Sequence, residues 1–176
     1  MLSRLNNLSV HEIMEHNPLI LLETDSIYQA LSRLTTQNIE GAPVVNHQQQ
    51  LTGFVSQQDI LRLLWANEYS SELQADLSKV MQTSILTVEL TQKIPALLEF
   101  MVVDKLALFP VDSASLLTDY HYQSYEQRLN KASAQQPCTY PVVHQGKVYG
   151  VISRCQIAML ITQQLVVTKR EQKDAA

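Results

Sequence analysis

Glycine is scarce in this chain, with only 4 glycines among 176 residues. Neither a GxxxxGK[ST] loop nor a glycine-rich dinucleotide fingerprint is present, so the usual backbone cradles for phosphate are excluded. Long apolar runs are missing as well, and none approaches the roughly 18 residues that a membrane-spanning helix needs. We therefore expect neither a P-loop enzyme nor a membrane partner.

Positive charge is also in short supply. Lysine and arginine number 13 against 17 aspartates and glutamates, which gives a net charge of −4. A nucleic-acid-binding protein usually carries a basic footprint, so we expect no nucleic-acid partner. The first residues lack the long apolar stretch of a secretory signal, and the expected location is the cytoplasm.

Side chains that carry catalysis are few and scattered. The two cysteines, Cys138 and Cys155, form no spacing motif and are expected to be free thiols in a reducing compartment. The five histidines show no ligand spacing, which predicts no metal site. No nucleophile–base arrangement or pair of acids stands out, so we expect no enzyme and no catalytic cofactor.

The chain does contain an internal repeat. Residues 12–34 are echoed by 79–101 at a step of 67, and residues 41–64 are echoed by 139–161, with a step of 97 from Gly53 onward. The first step relates Met14 to Met81 and Ile27 to Ile94; the second relates Gly53 to Gly150, Ser56 to Ser153 and Ile60 to Ile157. A fixed repeat indicates one supersecondary unit used twice. The two steps differ by 30, so the second copy carries about thirty extra residues.

Each copy is predicted to fold as β-α-β-β-α. A short strand, at 19–22 or 85–88, precedes a helix whose apolar residues follow the i, i+3, i+4, i+7 pattern, and Thr24-Asp25-Ser26 offers an N-cap for the first of these helices. Two strands in a hairpin and a closing helix follow. The predicted hairpin strands are 42–45 with 51–55, and 140–143 with 148–152.

The extra segment lies at about 106–138 and includes a tyrosine-rich, helical stretch at 119–133. Pro110-Val111 competes with Pro141-Val142 for the strand after the insertion. We favour the second pair, because it leads into a short turn and short hairpin loops are the norm. The predicted boundaries are a first domain at 1–68, a linker with helical character at 69–78, a second domain at 79–164 and a polar tail at 165–176.

The repeated "IM" start, the "PVV" strand and the "GxxSxxD" junction together resemble the cystathionine-β-synthase (CBS) domain. Two tandem copies resemble a CBS pair, or Bateman module. The resemblance covers about residues 8–164 and implies an α+β fold with two units in a pseudo-twofold arrangement, to which the repeat adds the insertion in the second unit. It also implies two clefts that bind an adenine nucleotide or S-adenosylmethionine, and assembly into homodimers.

The first cleft centres on Ser56 and Asp59, where a strand gives way to a helix. By the resemblance, the Ser56 hydroxyl and the helix N-terminus would face a phosphate, and the Asp59 carboxylate would accept from both ribose hydroxyls. The alternative is that Ser-x-x-Asp at this helix start is only a capping box, which needs no ligand; we favour ligand contact for Asp59. For Gly53, which belongs to the same motif, the alternative to a role in ligand binding is that a strand glycine permits close packing. The other candidate contacts in this cleft are Leu19, Ile20, Ala42, Pro43, Gln57 and Gln58. For Leu19, Ile20 and Ala42 the alternative is ordinary core packing, which we favour for Ile20.

The second cleft departs from the family pattern. Ser153 is kept, but Gln156 replaces the aspartate, and this pair is favoured as a simple capping box. Tyr140 stands where Ala42 stands in the first copy and would fill the space for a base. Arg154 is either a phosphate contact or a solvated surface charge.

Two functions are therefore expected to compete. The first is a non-catalytic sensor that binds AMP, ADP, ATP or S-adenosylmethionine in the first cleft and signals to a regulated protein. The second is a dimeric scaffold with vestigial clefts, using the 106–138 insertion as a docking surface. The sequence names neither the ligand nor the partner protein, and it leaves the dimer orientation open.

Overall fold

The computed structural model describes residues 5–66, 71–104, 108, 124–132 and 137–174. Within these ranges the protein has a mixed α+β fold. Its strands are β1 (Leu21–Leu22), β2 (Gly41–Val45), β3 (Leu51–Ser56), β4 (Val88–Glu89), β5 (Thr139–His144) and β6 (Lys147–Ser153). Its α-helices are α1 (Ile27–Thr36), α2 (Gln57–Ala66), α3 (Ile94–Val102), α4 (Tyr125–Lys131) and α5 (Arg154–Asp174). Short 3-10 turns cover Val10–Glu12, Ser71–Gln74 and Leu77–Lys79.

The strands form two three-stranded sheets of the same design, in the orders β1-β2-β3 and β4-β5-β6. In each sheet the short first strand runs parallel to the second, with Leu21 opposite Val44 and Val88 opposite Val142. In the first sheet, β2 and β3 pair antiparallel as the predicted hairpin. The duplicated β-α-β-β-α order and the α+β class are thus confirmed, and the strand after the insertion is the one containing Pro141.

The opening strand of each copy is shorter than predicted. The sequence pattern indicated four residues, at 19–22 and 85–88, whereas only Leu21–Leu22 and Val88–Glu89 are strand. Each opening strand pairs with its neighbour over two residues only. Apolar character in the preceding residues therefore reflects packing, as at Leu19, which is buried without belonging to a strand.

Helix α1 begins at the predicted cap. The Ser26 Oγ accepts from the Gln29 backbone N–H at 3.2 Å, and the Ser26 N–H donates to Gln29 Oε1 at 3.0 Å, which completes a capping box. Ile27, Ala30 and Leu34 are fully buried along one face, as the apolar spacing predicts. These side chains join a core with the strands and with α2.

The two copies exchange their opening segments. Gln82, at the start of the second copy, pairs through its backbone with Phe54 in β3, with N···O distances of 2.9 and 2.8 Å. Glu15, at the start of the first copy, pairs with Val151 in β6 at 2.9 and 3.1 Å. Each sheet therefore receives backbone hydrogen bonds from the other copy. This reciprocity is what the predicted pseudo-twofold relation requires.

Glycine and methionine permit this exchange. A Cβ built on Gly53 would overlap the Met81 Sδ and lie 2.9 Å from its Cγ. A Cβ built on Gly150 would overlap the Glu15 carbonyl oxygen and lie 3.0 Å from the Met14 Sδ. Heavy atoms do not pack this closely, so a Cβ at either position would force its neighbour to move. The alternative role of Gly53 as a close-packing residue is confirmed.

The chain divides into two compact units that do not coincide with the two repeats. One unit contains 10–91 and 139–152, and both hairpins lie in it, where the Leu51 N–H donates to the Gly146 carbonyl at 3.1 Å. The other contains the described parts of 1–9, 92–138 and 153–176, in which α3 packs against α5. The domain boundaries at 68 and 79 remain predictions about the repeats.

The linker and the insertion are only partly described. Past 70, the linker forms two 3-10 turns rather than a continuous helix, and Leu77 is fully buried in the core of its unit. In the insertion, the predicted helix is present at Tyr125–Lys131 and is capped by Ser124. Residues 109–123, which include Pro110, Tyr120 and Tyr122, lie outside the described residues.

Candidate functional site

Asp59 is the most buried charged residue among those described. Strand β3 ends at Ser56, α2 begins at Gln57, and Asp59 falls in the first turn of that helix. The Asp59 residue is only 9% exposed. A carboxylate that is taken out of water needs hydrogen-bond donors around it, so its partners define the site.

Ser56 supplies the first set of partners. The Asp59 Oδ2 accepts from the Ser56 backbone N–H at 3.0 Å and from the Ser56 hydroxyl at 2.6 Å. The Asp59 backbone N–H donates in return to the Ser56 Oγ at 3.1 Å. This is the capping box that the sequence offered as the alternative to ligand binding. A serine hydroxyl has one hydrogen to donate, so Ser56 must release Asp59 before it can donate to a phosphate.

Two further side chains reach the other carboxylate oxygen. The Gln82 Nε2 donates to the Asp59 Oδ1 at 2.8 Å, and the Arg62 Nη1 lies 3.5 Å from the same oxygen. The Arg62 side chain is 64% exposed, so this ion pair adds little. The sequence analysis missed Gln82. The only sequence signal for Gln82 was the repeat. It aligns Met81 with Met14, so that residues 81–82 correspond to 14–15 at the start of the first copy.

Two of the other predicted contacts of the first site pair with residues near the end of β3. Ala42 pairs with Val55 and Pro43 with Phe54, and Ala42 and Pro43 are both buried. Leu19 is buried and Ile20 is half-buried, and both Leu19 and Ala42 belong to the hydrophobic core of the first repeat. The Ile20 carbonyl accepts from the Arg33 guanidinium at 3.1 Å, a contact that the sequence analysis did not predict.

The two glutamines of the motif differ in their surroundings. The Gln57 side chain donates from Nε2 to the Ile39 carbonyl at 2.9 Å, and its backbone N–H donates to the Glu40 carbonyl at 2.8 Å. Gln57 therefore ties the start of α2 to the residues before β2. Gln58 is exposed. Of the two, Gln58 is the one whose side chain is open to an incoming ligand.

The motif of the second copy is organised as a helix cap. The Ser153 N–H donates to the Gln156 Oε1 at 2.6 Å, and the Gln156 N–H donates to the Ser153 Oγ at 3.3 Å. The Arg154 Nη2 donates to the Cys138 Sγ at 3.3 Å. Tyr140, in the other compact unit, is fully buried in the strand β5. These contacts show the capping box favoured for this copy and give Arg154 a partner within its own unit.

The described residues contain neither a metal-binding cluster nor a membrane-spanning helix. No group of three or more histidine, cysteine, aspartate or glutamate side chains in the described ranges could hold a metal ion. None of the helices described is long and apolar enough to cross a bilayer. The site thus consists of a buried carboxylate at a helix start, a hydroxyl, an amide and apolar neighbours.

Comparison with known proteins identifies the first repeat. A family model described as the CBS domain matches residues 10–66, the stretch that contains Ser56 and Asp59. Residues 10–66 are a CBS domain. The uncharacterized protein MJ1225 of Methanocaldococcus jannaschii is 40% identical to this chain over 58 residues, a match that covers 33% of this chain and 21% of that relative. The chain thus matches about a fifth of that relative's length.

Solved structures extend the comparison to the second repeat. CbpB in complex with c-di-AMP has a TM-score of 0.65 at 15% identity, covering 97% of this chain and 95% of that one. CBSX2 in complex with AMP has a TM-score of 0.61 at 18% identity, covering 89% and 98%. The CBS domain pair of protein MJ0100, in complex with 5′-methylthioadenosine and S-adenosyl-L-methionine, has a TM-score of 0.61 at 17% identity, covering 89% and 98%. The chain has the fold of a CBS-domain pair.

Proposed function

We propose that this CBS-domain protein is a regulatory module that binds an adenine nucleotide at the Ser56–Asp59 site and signals its occupancy to a partner protein. No catalysis is part of the proposal. We place the module in the cytoplasm, where its exposed free thiols, Cys138 and Cys155, would stay reduced. A ligand shifts a conformational equilibrium only through unequal affinity for two arrangements, so the partner must distinguish bound from free protein.

The observation that carries the proposal is the setting of Asp59. Its carboxylate is buried in the first turn of α2, directly after the end of β3. A buried carboxylate is a strong acceptor for hydroxyl groups, and hydrogen bonds to charged groups are worth about 1.5–3 kcal/mol. The start of α2 supplies the partial positive charge that suits a phosphate. Proteins of the same fold have been solved with AMP, c-di-AMP and S-adenosyl-L-methionine.

The scaffold function remains the second candidate, and one observation favours it. Asp59 already accepts hydrogen bonds from Ser56 and Gln82, so the carboxylate is satisfied without a ligand. In the second copy, Ser153 and Gln156 cap a helix in the same way. A chain whose two motifs serve only as caps would act through its surface, as a dimer or a docking platform.

The two candidates are separated by thermal unfolding with AMP, ADP, ATP and S-adenosylmethionine. A ligand at a hundred times its dissociation constant stabilises the native state by about 2.7 kcal/mol. For a chain of this size, the melting temperature should then rise by roughly 5–10 °C. Asp59→Ala should remove most of this shift, because it deletes the proposed ribose acceptor.

Gln156→Ala is the matched control, since Gln156 caps the equivalent helix in the second copy. Both variants should lose about 1 kcal/mol of basal stability through the lost cap, so ligand-induced shifts are compared rather than melting temperatures. The Gln156→Ala variant should keep the wild-type shift. If none of the four compounds raises the melting temperature of the wild-type protein, the scaffold function is favoured.

A further inference from the structure

The Asp59 carboxylate has little acceptor capacity left. An ionised carboxylate offers about four lone-pair positions on its two oxygens. The Ser56 N–H and hydroxyl take both positions on Oδ2, at 3.0 and 2.6 Å. The Gln82 amide takes one position on Oδ1 at 2.8 Å. The remaining contact, to Arg62, is long at 3.5 Å and comes from a mostly exposed side chain, so a ligand can displace it.

Gln82 is held in place by more than this one hydrogen bond. Its backbone forms two hydrogen bonds with Phe54, and the preceding residue, Met81, packs on Gly53. Both Phe54 and Gly53 lie in β3, the strand that leads into Ser56. The amide is therefore delivered to Asp59 from a backbone that is fixed on the same strand. Because the backbone of Gln82 is fixed, only a rotation of its side chain could take the amide away from Asp59.

We propose that the Ser56 hydroxyl stays on Asp59 when a nucleotide binds, which leaves the phosphate to the start of α2. Gln82 is then a positioning residue that leaves Asp59 with one open acceptor position, so that the site recognises one ribose hydroxyl rather than two. The inference rests on the proposed function and sharpens its ligand class. Adenine nucleotides that retain the recognised hydroxyl bind, whether or not the other hydroxyl is free. A carboxylate clamp on both hydroxyls, which the family resemblance implies, needs Oδ1 or Oδ2 to lose one of its present donors.

The test compares AMP with 2′-deoxy-AMP and 3′-deoxy-AMP by isothermal titration. With the wild-type chain, one deoxynucleotide should bind within about threefold of AMP and the other should bind about tenfold or more weakly, because only one hydroxyl contributes a charge-assisted hydrogen bond. Gln82→Ala opens a second position on Oδ1. AMP should then bind more tightly, and both deoxynucleotides should fall about tenfold below it.

Gln82→Met controls for space, because it keeps the length of the side chain but has no N–H to donate. It should reproduce the selectivity of Gln82→Ala, since the proposal depends on the donor and not on the room it occupies. Equal loss with both deoxynucleotides in the wild type, or an unchanged pattern in Gln82→Ala, would overturn the role of Gln82 while leaving nucleotide binding intact. Absence of any AMP binding in wild type and Gln82→Ala alike would overturn the role and the proposed function together.

Discussion

At the scale of single residues, two glycines decide how closely the copies approach. Gly53 lies against the flexible side chain of Met81, whereas Gly150 lies against the backbone carbonyl of Glu15. A methionine side chain can change rotamer at modest cost. A backbone carbonyl moves only with its chain. Here the N–H and the carbonyl of Glu15 are both hydrogen-bonded to Val151. Gly53 and Gly150 are equivalent in the repeat, but Gly53 should accept an added side chain more easily than Gly150.

We therefore predict that Gly150→Ala destabilises the fold more than Gly53→Ala. Overpacking typically costs 1–3 kcal/mol, and we expect about 1 kcal/mol for Gly53→Ala and about 3 kcal/mol for Gly150→Ala. Urea unfolding monitored by circular dichroism gives both values. The order of the two losses is the decisive result, and equal losses would contradict the assigned contacts.

Double variants sharpen this comparison. Met81→Ala should restore part of the stability lost in Gly53→Ala, because it removes the group that the new methyl meets. Met14→Ala should restore little in Gly150→Ala, since the Glu15 carbonyl remains in the way. Rescue of both glycine variants to the same extent would show that side chains alone limit the approach.

At the scale of elements, two helices carry the same capping box but have different roles. Helix α1 is capped by Ser26 and buries Ile27, Ala30 and Leu34. Helix α4 is capped by Ser124 and buries none of its residues. Loss of a cap weakens a helix by about 1 kcal/mol in either case. Only a helix that belongs to a core passes that loss on to the whole unit.

Ser26→Ala should accordingly lower the free energy of unfolding by about 1 kcal/mol, measured by urea titration. Ser124→Ala should leave this free energy unchanged while amide exchange in Tyr125–Lys131 becomes faster. The aspartate variants Ser26→Asp and Ser124→Asp keep an N-cap acceptor and should behave as wild type. A global loss in Ser124→Ala equal to that in Ser26→Ala would show that α4 belongs to a core.

The helices and strands also show which structural features the sequence predicts and which it does not. Apolar spacing at Ile27, Ala30 and Leu34 predicted α1 with its buried face, because helix periodicity and burial are recorded in local sequence. The opening strands were predicted too long, since a two-residue parallel pairing at Leu21 leaves no periodic signal. Gln82 was missed for a different reason. Its contact with Asp59 depends on a strand pairing between residues 28 positions apart, which no local pattern contains.

At the scale of the whole molecule, exposed apolar side chains on the first repeat bear on assembly. Tyr28 on α1 is 57% exposed, and on α2 Leu61 is 57% and Trp65 77% exposed. Leu61 and Trp65 are one turn apart and share a helix face. Exposed apolar side chains that adjoin one another mark protein contacts, which singles out the Leu61–Trp65 pair. The homodimer predicted from the family resemblance would have a suitable surface here.

If this surface forms the homodimer, Trp65 should report on it. Trp65 is the only tryptophan in the chain, so its fluorescence reads one position. We predict that emission shifts to shorter wavelength as protein concentration rises, in parallel with the increase in mass measured by light scattering. Trp65→Lys should keep the chain monomeric over the same range, and Trp65→Phe should not. A dimer whose Trp65 emission stays that of a water-exposed indole would place the contact elsewhere.

The exchange of opening segments has a consequence for synthesis on the ribosome. The Phe54–Gln82 closure spans 28 residues, so it can form early as the chain emerges. The Glu15–Val151 closure spans 136 residues and must wait until the second hairpin has been made. By loop-closure entropy alone, the longer closure costs about 1.4 kcal/mol more. The two pairings therefore form one after the other: the Asp59 site is assembled first, and the Met14–Glu15 segment stays without its partner strand until the second hairpin has been translated.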